Sequence, residues 1–347
     1  HFFAPSRQRP DPFGTSCNTS EWAGAGALLT SHGGLAVEIA SGLAIVADAR
    51  IDNAPNLRRE LGLGSVISTE KLIVAAYRRW HDDCAAHLEG DFAFAIWDAR
   101  ENRLLCARDR FGIRPFFYVQ YGGVFRFAQS SGALVQAIGC EPSLRDDAIA
   151  DYIYGRVIEA ESTFYEGIRR LEPGHVLVLH SGRVDLRRYY ELTPTAPGGR
   201  DAPEEFRHLL NESVRKCASG PERVGALLSG GLDSSSIACL LRDQRRSEGI
   251  GNVPVFSMVF SEPERSNERP FVDQVLAGGG FSSQVLRLDG YRPLDGLETL
   301  LEALDGPTHA PNLCCMRHVV GVAADSGMGV LLGAVYDDLN RMSFAGG

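Results

Sequence analysis

The 347-residue sequence lacks the features of a membrane-spanning protein and of a secreted one. No uninterrupted apolar run reaches the roughly 18 residues that suggest a membrane-spanning helix. The eight cysteines are scattered without the spacing of a disulfide framework. The N-terminal segment has no cleavable signal pattern and no initiator methionine, so we expect residues to be missing before His1. These absences together favour a protein of the reducing cytoplasm.

The sequence also lacks an excess of positive charge. It has 35 lysine and arginine residues against 44 aspartate and glutamate residues, which gives a net charge of −9. A protein with broad affinity for nucleic acid needs a positive field to exchange counterions with phosphate. The composition therefore argues against a nucleic-acid-binding protein.

A grouping typical of metal ligands is also missing. The adjacent residues Cys314 and Cys315 have His318 about one helical turn further along the chain. Adjacent residues of a helix point about 100° apart, and no second pair of ligand-type residues follows. We therefore do not expect a metal site at these three residues.

Residues 33–127 have the pattern of antiparallel strands. GGLAVEIASGLAIVADARIDN (33–53) alternates around Ser41-Gly42, and the stretch from Gly90 to Phe127 alternates through several short strands. STEKLIVAAYRRW (68–80) between them is an amphipathic helix with Ser68 as the candidate N-cap. Consecutive antiparallel strands with few helices predict an α+β domain with sheets packed face to face.

From Asp201 onward, amphipathic helices alternate with short apolar strands. RVGALLS suits a strand that is buried on both faces, and the later strands are VPVFSMVFS, SSQVLRL and MGVLL. Strands separated by helices of this length predict right-handed crossovers and a doubly wound parallel α/β sheet. We predict a first domain over residues 1–192, a Pro/Gly-rich linker over 193–203 and a second domain over 204–347.

The second domain has a loop that is richer in polar groups than a turn requires. VGALLSGGLDSSSIACLL (224–241) runs from a buried strand directly into a helix. Ligands of open α/β sheets bind beyond the carboxyl ends of the strands, where this loop lies. Gly230 and Gly231 would allow a ligand to approach the backbone closely.

The loop predicts an anion site rather than a simple turn. Free amides in the first turn of a helix, with the Ser234 and Ser235 hydroxyls, suit an anion such as pyrophosphate. Asp233 would repel a phosphate alone, but it fits a Mg²⁺ ion that bridges the carboxylate and the phosphates. The sequence has neither the Walker pattern nor G-x-G-x-x-G. The alternative is a capped turn that is rich in small residues.

The motif SGGLDSS after a buried strand resembles the pyrophosphate loop of the asparagine synthetase family, which has an ATP-pyrophosphatase fold. Residues 90–119 resemble the glutaminase-like, Ntn-hydrolase-type first domain of that family. Residues 162–179 resemble the segment that joins its domains, and 256–276 resemble the strand and acid-bearing helix after its nucleotide loop. The resemblance covers most of the chain. It implies an enzyme that adenylates a carboxylate with ATP and lets an amine displace AMP to form an amide.

The resemblance also implies which residues bind ATP and Mg²⁺. The triphosphate and its metal would be held by Ser229, Gly230, Gly231, Asp233, Ser234 and Ser235. Leu228 and Met258, at strand ends, would flank the adenine, although ordinary strand core explains both residues as well.

Two acidic residues match further family positions. Asp305 in LDGPTHAPN matches an acid that the family has near the nucleotide, and the alternative is a solvated acid in a turn. Glu268 matches an acidic position in the helix of SNERPF, and a capping-box carboxylate is the alternative.

The first domain departs from the residues that release ammonia from glutamine. Glutamine-using members have an N-terminal cysteine, whereas this sequence begins at His1 and its first cysteine is Cys17. The family's N-G-E-I turn, which supplies oxyanion-hole donors, reads DARI here, with Asp48 and Ala49 at the first two positions. Because a carboxylate would repel a developing oxyanion, we predict a first domain without glutaminase activity.

A second departure follows the last predicted strand. The family has a G-D-G-x-D-E turn whose first acid binds Mg²⁺, and this chain reads GAVYDDL (333–339). Ala334 replaces that acid, while Asp337 and Asp338 match the later pair. Either one acid is lost or the sequence skips residues around Leu332.

The expected metal ligands are therefore Asp233 and Asp337. Family members continue through helices that carry the groups aiding amide formation. The catalytic base is thus unknown, and we expect it beyond Gly347.

Three hypotheses follow from the resemblance. The first is a lasso-peptide macrolactam cyclase, related to β-lactam synthetases, in which the substrate's own amine attacks the activated carboxylate. The others are a glutamine-hydrolysing asparagine synthetase and a non-catalytic nucleotide-binding partner. For a cyclase, the substrate is a small peptide, and a leader peptidase and a leader-recognition protein are expected partners.

Overall fold

The computed structural model describes residues 20–24, 27–31, 34–38, 42–64, 67–139, 142–156, 160–193, 201–220, 223–261, 267–292, 295–304, 306–307 and 313–333. The described residues form two compact units, one before residue 194 and one after it. Residues 194–200 of the predicted linker lie outside the described residues.

The first unit combines β-strands with short helices. Its elements are β1 Ser20–Gly24, β2 Ala27–Ser31, β3 Gly34–Glu38, β4 Leu43–Ile51, α1 Ala54–Glu60, α2 Thr69–Trp80, a 3₁₀ helix His81–His87, β5 Gly90–Asp98, β6 Arg103–Arg108, β7 Phe117–Tyr121, β8 Val124–Ala128, α3 Ser131–Ile138, α4 Asp146–Ile153, β9 Arg169–Arg170, β10 His175–His180 and β11 Arg183–Arg188.

The strands pair into antiparallel sheets, as the alternating sequence predicts. Within the described residues, six strands form one sheet in the order β11-β10-β6-β5-β4-β3, and three form another in the order β8-β7-β9. The predicted hairpin around Ser41-Gly42 is confirmed, because β3 and β4 pair antiparallel with Glu38 opposite Leu43. Strands β1 and β2 form a separate antiparallel pair.

Both faces of the larger sheet are covered. Ile45, Phe94 and other residues of one face pack against Leu72, Ile73 and further residues of α2. The opposite face packs against side chains of β7 and β8 from the smaller sheet. The smaller sheet in turn packs against α3. The unit is therefore layered as helix, sheet, sheet, helix, with two sheets face to face.

The predicted N-cap of α2 is also confirmed, since Ser68 Oγ accepts the Lys71 amide.

Two buried charged residues hold the turn between β6 and β7. Asp109, 1% exposed, accepts the backbone amides of Phe92, Phe111, Ile113 and Arg114. The adjacent Arg108 guanidinium donates to the carbonyl oxygens of Gly112, Arg114 and Leu171. Burial lowers the pKa of Arg108 to about 10. These bonds join the turn to the two sheets.

The second unit alternates helices and strands. Its elements are α5 Ala202–Cys217, β12 Val224–Leu227, α6 Leu232–Ser247, β13 Val253–Val259, α7 Arg269–Ala277, β14 Phe281–Arg287, α8 Leu297–Leu304, α9 Leu313–Asp325 and β15 Val330–Leu332.

The described strands of this unit form a parallel sheet in the order β14-β13-β12-β15. Side chains of α5, α6 and α7 pack with Val253 and Val255 on one face. Side chains of α9 pack with Phe256 on the other face. The predicted parallel sheet with helices on both faces is confirmed.

Sequence reasoning missed several elements, among them α1, α3, α4 and α8. Of these, α8 lies in the second unit. Its leucines at 297, 300, 301 and 304 have helical spacing, so the signal was present. Within the described part of the chain, none of the helices combines the length and apolar character needed to cross a bilayer.

We expect Asp109→Ala to destabilise the first unit by about 3 kcal/mol or more, because it leaves buried amides without their acceptor. The three tryptophans all precede residue 194, so tryptophan fluorescence during urea unfolding reports on this unit. Asp147→Ala is the control, since Asp147 is an exposed acid paired with Arg145. Equal unfolding midpoints for the two variants would contradict the proposed role of Asp109.

Candidate functional site

The candidate site lies at the carboxyl end of β12, where the chain enters α6. Strand β12 is short and largely buried, and Leu228 extends it because the Leu228 amide donates to the Phe256 carbonyl oxygen at 2.9 Å. The chain then passes through Ser229, Gly230 and Gly231 before α6 begins at Leu232. This is the strand-to-helix loop that the sequence predicts.

Serine hydroxyls give the loop its shape. The Ser229 and Ser234 hydroxyl oxygens lie 2.8 Å apart, and the Ser229 amide donates to Ser234 Oγ at 3.1 Å. Ser234 is 7% exposed, and its hydroxyl also donates to the Gly231 carbonyl oxygen at 3.3 Å. Ser234 therefore fastens the first turn of α6 to the end of the strand.

Gly230 packs directly against the start of α7. Its φ is +81°, and a Cβ atom there would lie 2.5 Å from Phe271 Cβ and 2.8 Å from the Val272 amide nitrogen. Both the backbone angle and the close contact require glycine. This contact with α7 could not be read from the loop sequence alone.

The start of α6 presents hydrogen-bond donors. Its N-cap is Gly231, which has no side chain to accept the amides of Leu232, Asp233 and Ser234. Uncapped first-turn amides and the positive end of the helix dipole favour an anion. Asp233 is exposed within this first turn, where its carboxylate is accessible to a cation.

The loop fits a triphosphate with Mg²⁺. Ser235 Oγ is buried and has no hydrogen-bond partner among the described residues, so a ligand that reached it would supply the missing hydrogen bond. Gly230 lets the loop pack closely against α7, and Asp233 offers the oxygen ligand that Mg²⁺ prefers. These residues would hold the nucleotide phosphates and the metal.

The two residues expected beside the adenine lie on different faces of the sheet. Leu228 is 1% exposed and packs with the side chains of α5, α6 and α7. Met258 is half-buried and packs against the cluster that contains α9. Their side chains are therefore not brought together, and the adenine contact stays a prediction for both.

Of the acidic candidates outside the loop, the structure describes Glu268. Glu268 is the N-cap residue of α7, but its side chain makes no capping hydrogen bond within the described structure. It is exposed, and partial burial of the carboxyl raises its pKa. Asp305 and Asp337 lie outside the described residues, as do Ala334 and Asp338.

The cysteine–histidine grouping is split between the core and the surface. Cys314 and Cys315 are buried against the sheet, whereas His318 is exposed and lies against the Tyr291 ring. No group of three or more histidine, cysteine, aspartate or glutamate residues suited to a metal occurs within the described ranges.

In the first unit, DARI forms the end of β4 rather than an isolated turn. Asp48 pairs with Ala93 of β5 in the strand register. Its carboxylate accepts Gln129 Nε2 at 2.7 Å and lies 3.5 Å from Arg114 Nη1. The negative charge at this position is therefore already paired with groups of this unit.

Arg50, in the same stretch, also makes ion pairs. It binds Asp52 at 2.9 Å and Asp91 at 3.1 Å. Burial raises the pKa of Asp91, and the positive charge of Arg50 opposes that rise. Sequence reasoning missed the two partners of Asp48, because Gln129 and Arg114 lie far from Asp48 along the chain.

Two family models match the chain in succession. A glutamine amidotransferase domain matches residues 35–190, and asparagine synthase matches residues 205–334. The matched ranges cover most of the described residues of each unit.

Curated relatives match across much of the chain. Asparagine synthetase [glutamine-hydrolyzing] 3 of Bacillus subtilis is 29% identical over 76% of this chain and 45% of its own length. A putative asparagine synthetase [glutamine-hydrolyzing] of Mycobacterium tuberculosis (strain H37Rv) is 32% identical over 56% of this chain and 32% of its own length. Amidase chyE of Penicillium rubens is 28% identical over 63% of this chain and 34% of its own length. The chain spans less than half the length of each of these relatives.

The chain also matches a solved structure, that of the glutamine phosphoribosylpyrophosphate amidotransferase of B. subtilis with ADP and GMP. The match covers 87% of this chain and 72% of the amidotransferase chain. Its TM-score is 0.34 at 14% identity. The two consecutive family models and the synthetase relatives are decisive: the chain belongs to the asparagine synthetase family.

Proposed function

We propose that the chain belongs to an ATP- and Mg²⁺-dependent ligase that adenylates a carboxylate and joins it to an amine. The observation that carries this proposal is the loop from Ser229 to Ser235, where a glycine packed against α7, uncapped amides and an unpartnered hydroxyl meet. Family membership supports the same chemistry.

The reaction has two steps. A carboxylate oxygen of the substrate attacks the α-phosphorus of ATP, and the bond to pyrophosphate breaks. The amine nitrogen then attacks the acyl carbon of the adenylate, AMP leaves with its bonding electrons, and the nitrogen loses a proton. Asp233 would hold a Mg²⁺ ion, which would supply positive charge to offset that of the phosphates.

This chain's own residues contribute binding and orientation. The first-turn amides of α6 and the Ser235 hydroxyl would hold phosphate oxygens, and Ser229 with Ser234 keeps those donors in place. Because the leaving pyrophosphate would be held at a fixed site, the α-phosphorus is presented to the carboxylate in one orientation.

We propose that the amine comes from the same substrate, as in a lasso-peptide macrolactam cyclase. The DARI stretch supports this, since its Asp48 carboxylate replaces a neutral amide and is paired with Arg114 and Gln129. A small peptide would then be cyclised between its N-terminal amine and an aspartate or glutamate side chain. A leader peptidase and a leader-recognition protein are the proposed partners, and the cytoplasm the proposed compartment.

A glutamine-hydrolysing asparagine synthetase is the second candidate. The specific observation in its favour is that several relatives carry that name, including the one from B. subtilis. It needs ammonia from glutamine, whereas the cyclase does not. The two candidates therefore differ in a measurable way.

We expect ATP–pyrophosphate exchange to depend on a peptide that carries an internal aspartate or glutamate and a free N-terminus. The product should be lighter than the peptide by one water, as measured by mass spectrometry. Glutamine should give no ammonia above the blank. Exchange with free aspartate but with no peptide, together with ammonia release from glutamine, would show the synthetase instead.

Asp233→Asn should lower pyrophosphate exchange at least about tenfold, because it removes the charge that binds the metal. Asp243→Asn is the matched control, since Asp243 lies on the same helix and is exposed beside Arg242. Added Mg²⁺ should partly restore the pyrophosphate exchange of Asp233→Asn, because a weakened metal site fills at a higher Mg²⁺ concentration. Undiminished exchange in Asp233→Asn would refute the assignment.

Gly230→Ala should abolish or severely weaken ATP binding, because the new methyl group displaces the start of α7. Gly249→Ala provides the control: Gly249 also has a positive φ, of +71°, but nothing lies within 4 Å of its Cβ position. That variant should lose about 1 kcal/mol of stability and keep its ATP affinity. Calorimetric titration with ATP makes the comparison, and equal affinities of the two variants would show that the contact with α7 is unimportant.

A further inference from the structure

Ser257 of β13 is a buried hydroxyl that the family resemblance does not assign. Its side chain is 1% exposed, and its Oγ has no hydrogen-bond partner among the described residues. Along the strand, Phe256 and Met258 pack on the α9 side. Since strand side chains alternate, Ser257 faces the other side, the one covered by α5, α6 and α7.

A serine is an unfavourable choice for this position. The neighbours on the same face, Val255 and Val259, are buried and β-branched, as a central parallel strand favours. A buried hydroxyl without a partner loses its hydrogen bonds to water and gains none in return. A ligand that reached this position would give the hydroxyl the partner that the described residues do not supply.

The location of Ser257 indicates which partner. Leu228 donates to the Phe256 carbonyl oxygen, so Ser257 lies near the level at which β12 ends and the phosphate loop begins. On this face the loop packs against α7, where the Gly230 backbone meets Phe271 and Val272. Ser257 is thus at the same edge and on the same face as the loop.

A second observation points the same way. Among the described residues, the buried hydroxyls without a partner are those of Ser257 and Ser235. Ser257 lies two residues before the end of β13 and Ser235 lies in the first turn of α6, so both are near the carboxyl-end edge of the same sheet, where ligands of such sheets bind. Two donors without partners at one edge are expected where an anion binds.

We propose that Ser257 is a further phosphate-binding residue, whose hydroxyl donates to an oxygen of the triphosphate or of the pyrophosphate product. The inference rests on the proposed function and extends it to a second strand. The hydroxyl then gains its partner only when the nucleotide is bound.

The test compares Ser257→Ala with the unchanged protein in two measurements. Urea unfolding of the ligand-free protein, followed by circular dichroism, should show equal or greater stability, because an unpartnered hydroxyl is removed. Calorimetric titration should show at least about tenfold weaker binding of ATP and of inorganic pyrophosphate, as expected for a hydrogen bond to a charged group. Adenosine, which has no phosphate, should bind unchanged.

Two further variants sharpen the test. Ser257→Cys keeps a similar volume with a weaker donor, so its affinity for pyrophosphate should lie between those of serine and alanine. Ser283→Ala removes an exposed hydroxyl from the neighbouring strand β14, beside Val255, and should change neither measurement.

Three results would overturn the inference. Lower stability of ligand-free Ser257→Ala with unchanged pyrophosphate binding would show a purely structural serine. An equal loss of ATP and adenosine binding would show a contact with the nucleoside rather than with phosphate. If the unchanged protein bound neither ATP nor pyrophosphate, the proposed function itself would fail, a result distinct from the first two.

Discussion

The close packing of the Gly230 backbone on the first turn of α7 is the constraint on which the proposed nucleotide-binding edge depends. It fixes the loop between a strand end and a second helix, with no room for even one methyl group. The Ser229–Ser234 hydrogen bond then sets where α6 begins. These two contacts hold the loop and the first turn of α6 in one arrangement.

Much of the fold could be predicted from sequence because its signals are local. Alternation predicts the antiparallel strands of the first unit, and short apolar runs separated by amphipathic helices predict the parallel sheet. The glycine–serine loop is likewise a continuous motif. Helix α8 carries the same kind of local signal in the helical spacing of its leucines, although it was not predicted.

What could not be predicted depends on contacts between distant residues. The pairing of Asp48 with Gln129 joins positions 81 residues apart, and no local pattern marks it. Leu228 and Met258 lie on opposite faces of the sheet. Which face each side chain takes depends on how neighbouring strands pair, and a single sequence does not specify that pairing. The unpartnered state of Ser257 follows from everything packed around it. The site's loop was thus readable from the sequence, and its surroundings were not.

The cap of α6 shows a compromise between stability and binding. Gly231 has φ −68° and ψ 162°, angles that any residue adopts, so the backbone does not require glycine there. An asparagine, aspartate or serine would make the empty helix slightly more stable by accepting its first amides. Such a side chain would also compete with a ligand for those amides. Glycine at this position therefore leaves the helix less stable when empty, in exchange for amides that a phosphate can reach without first displacing a side chain.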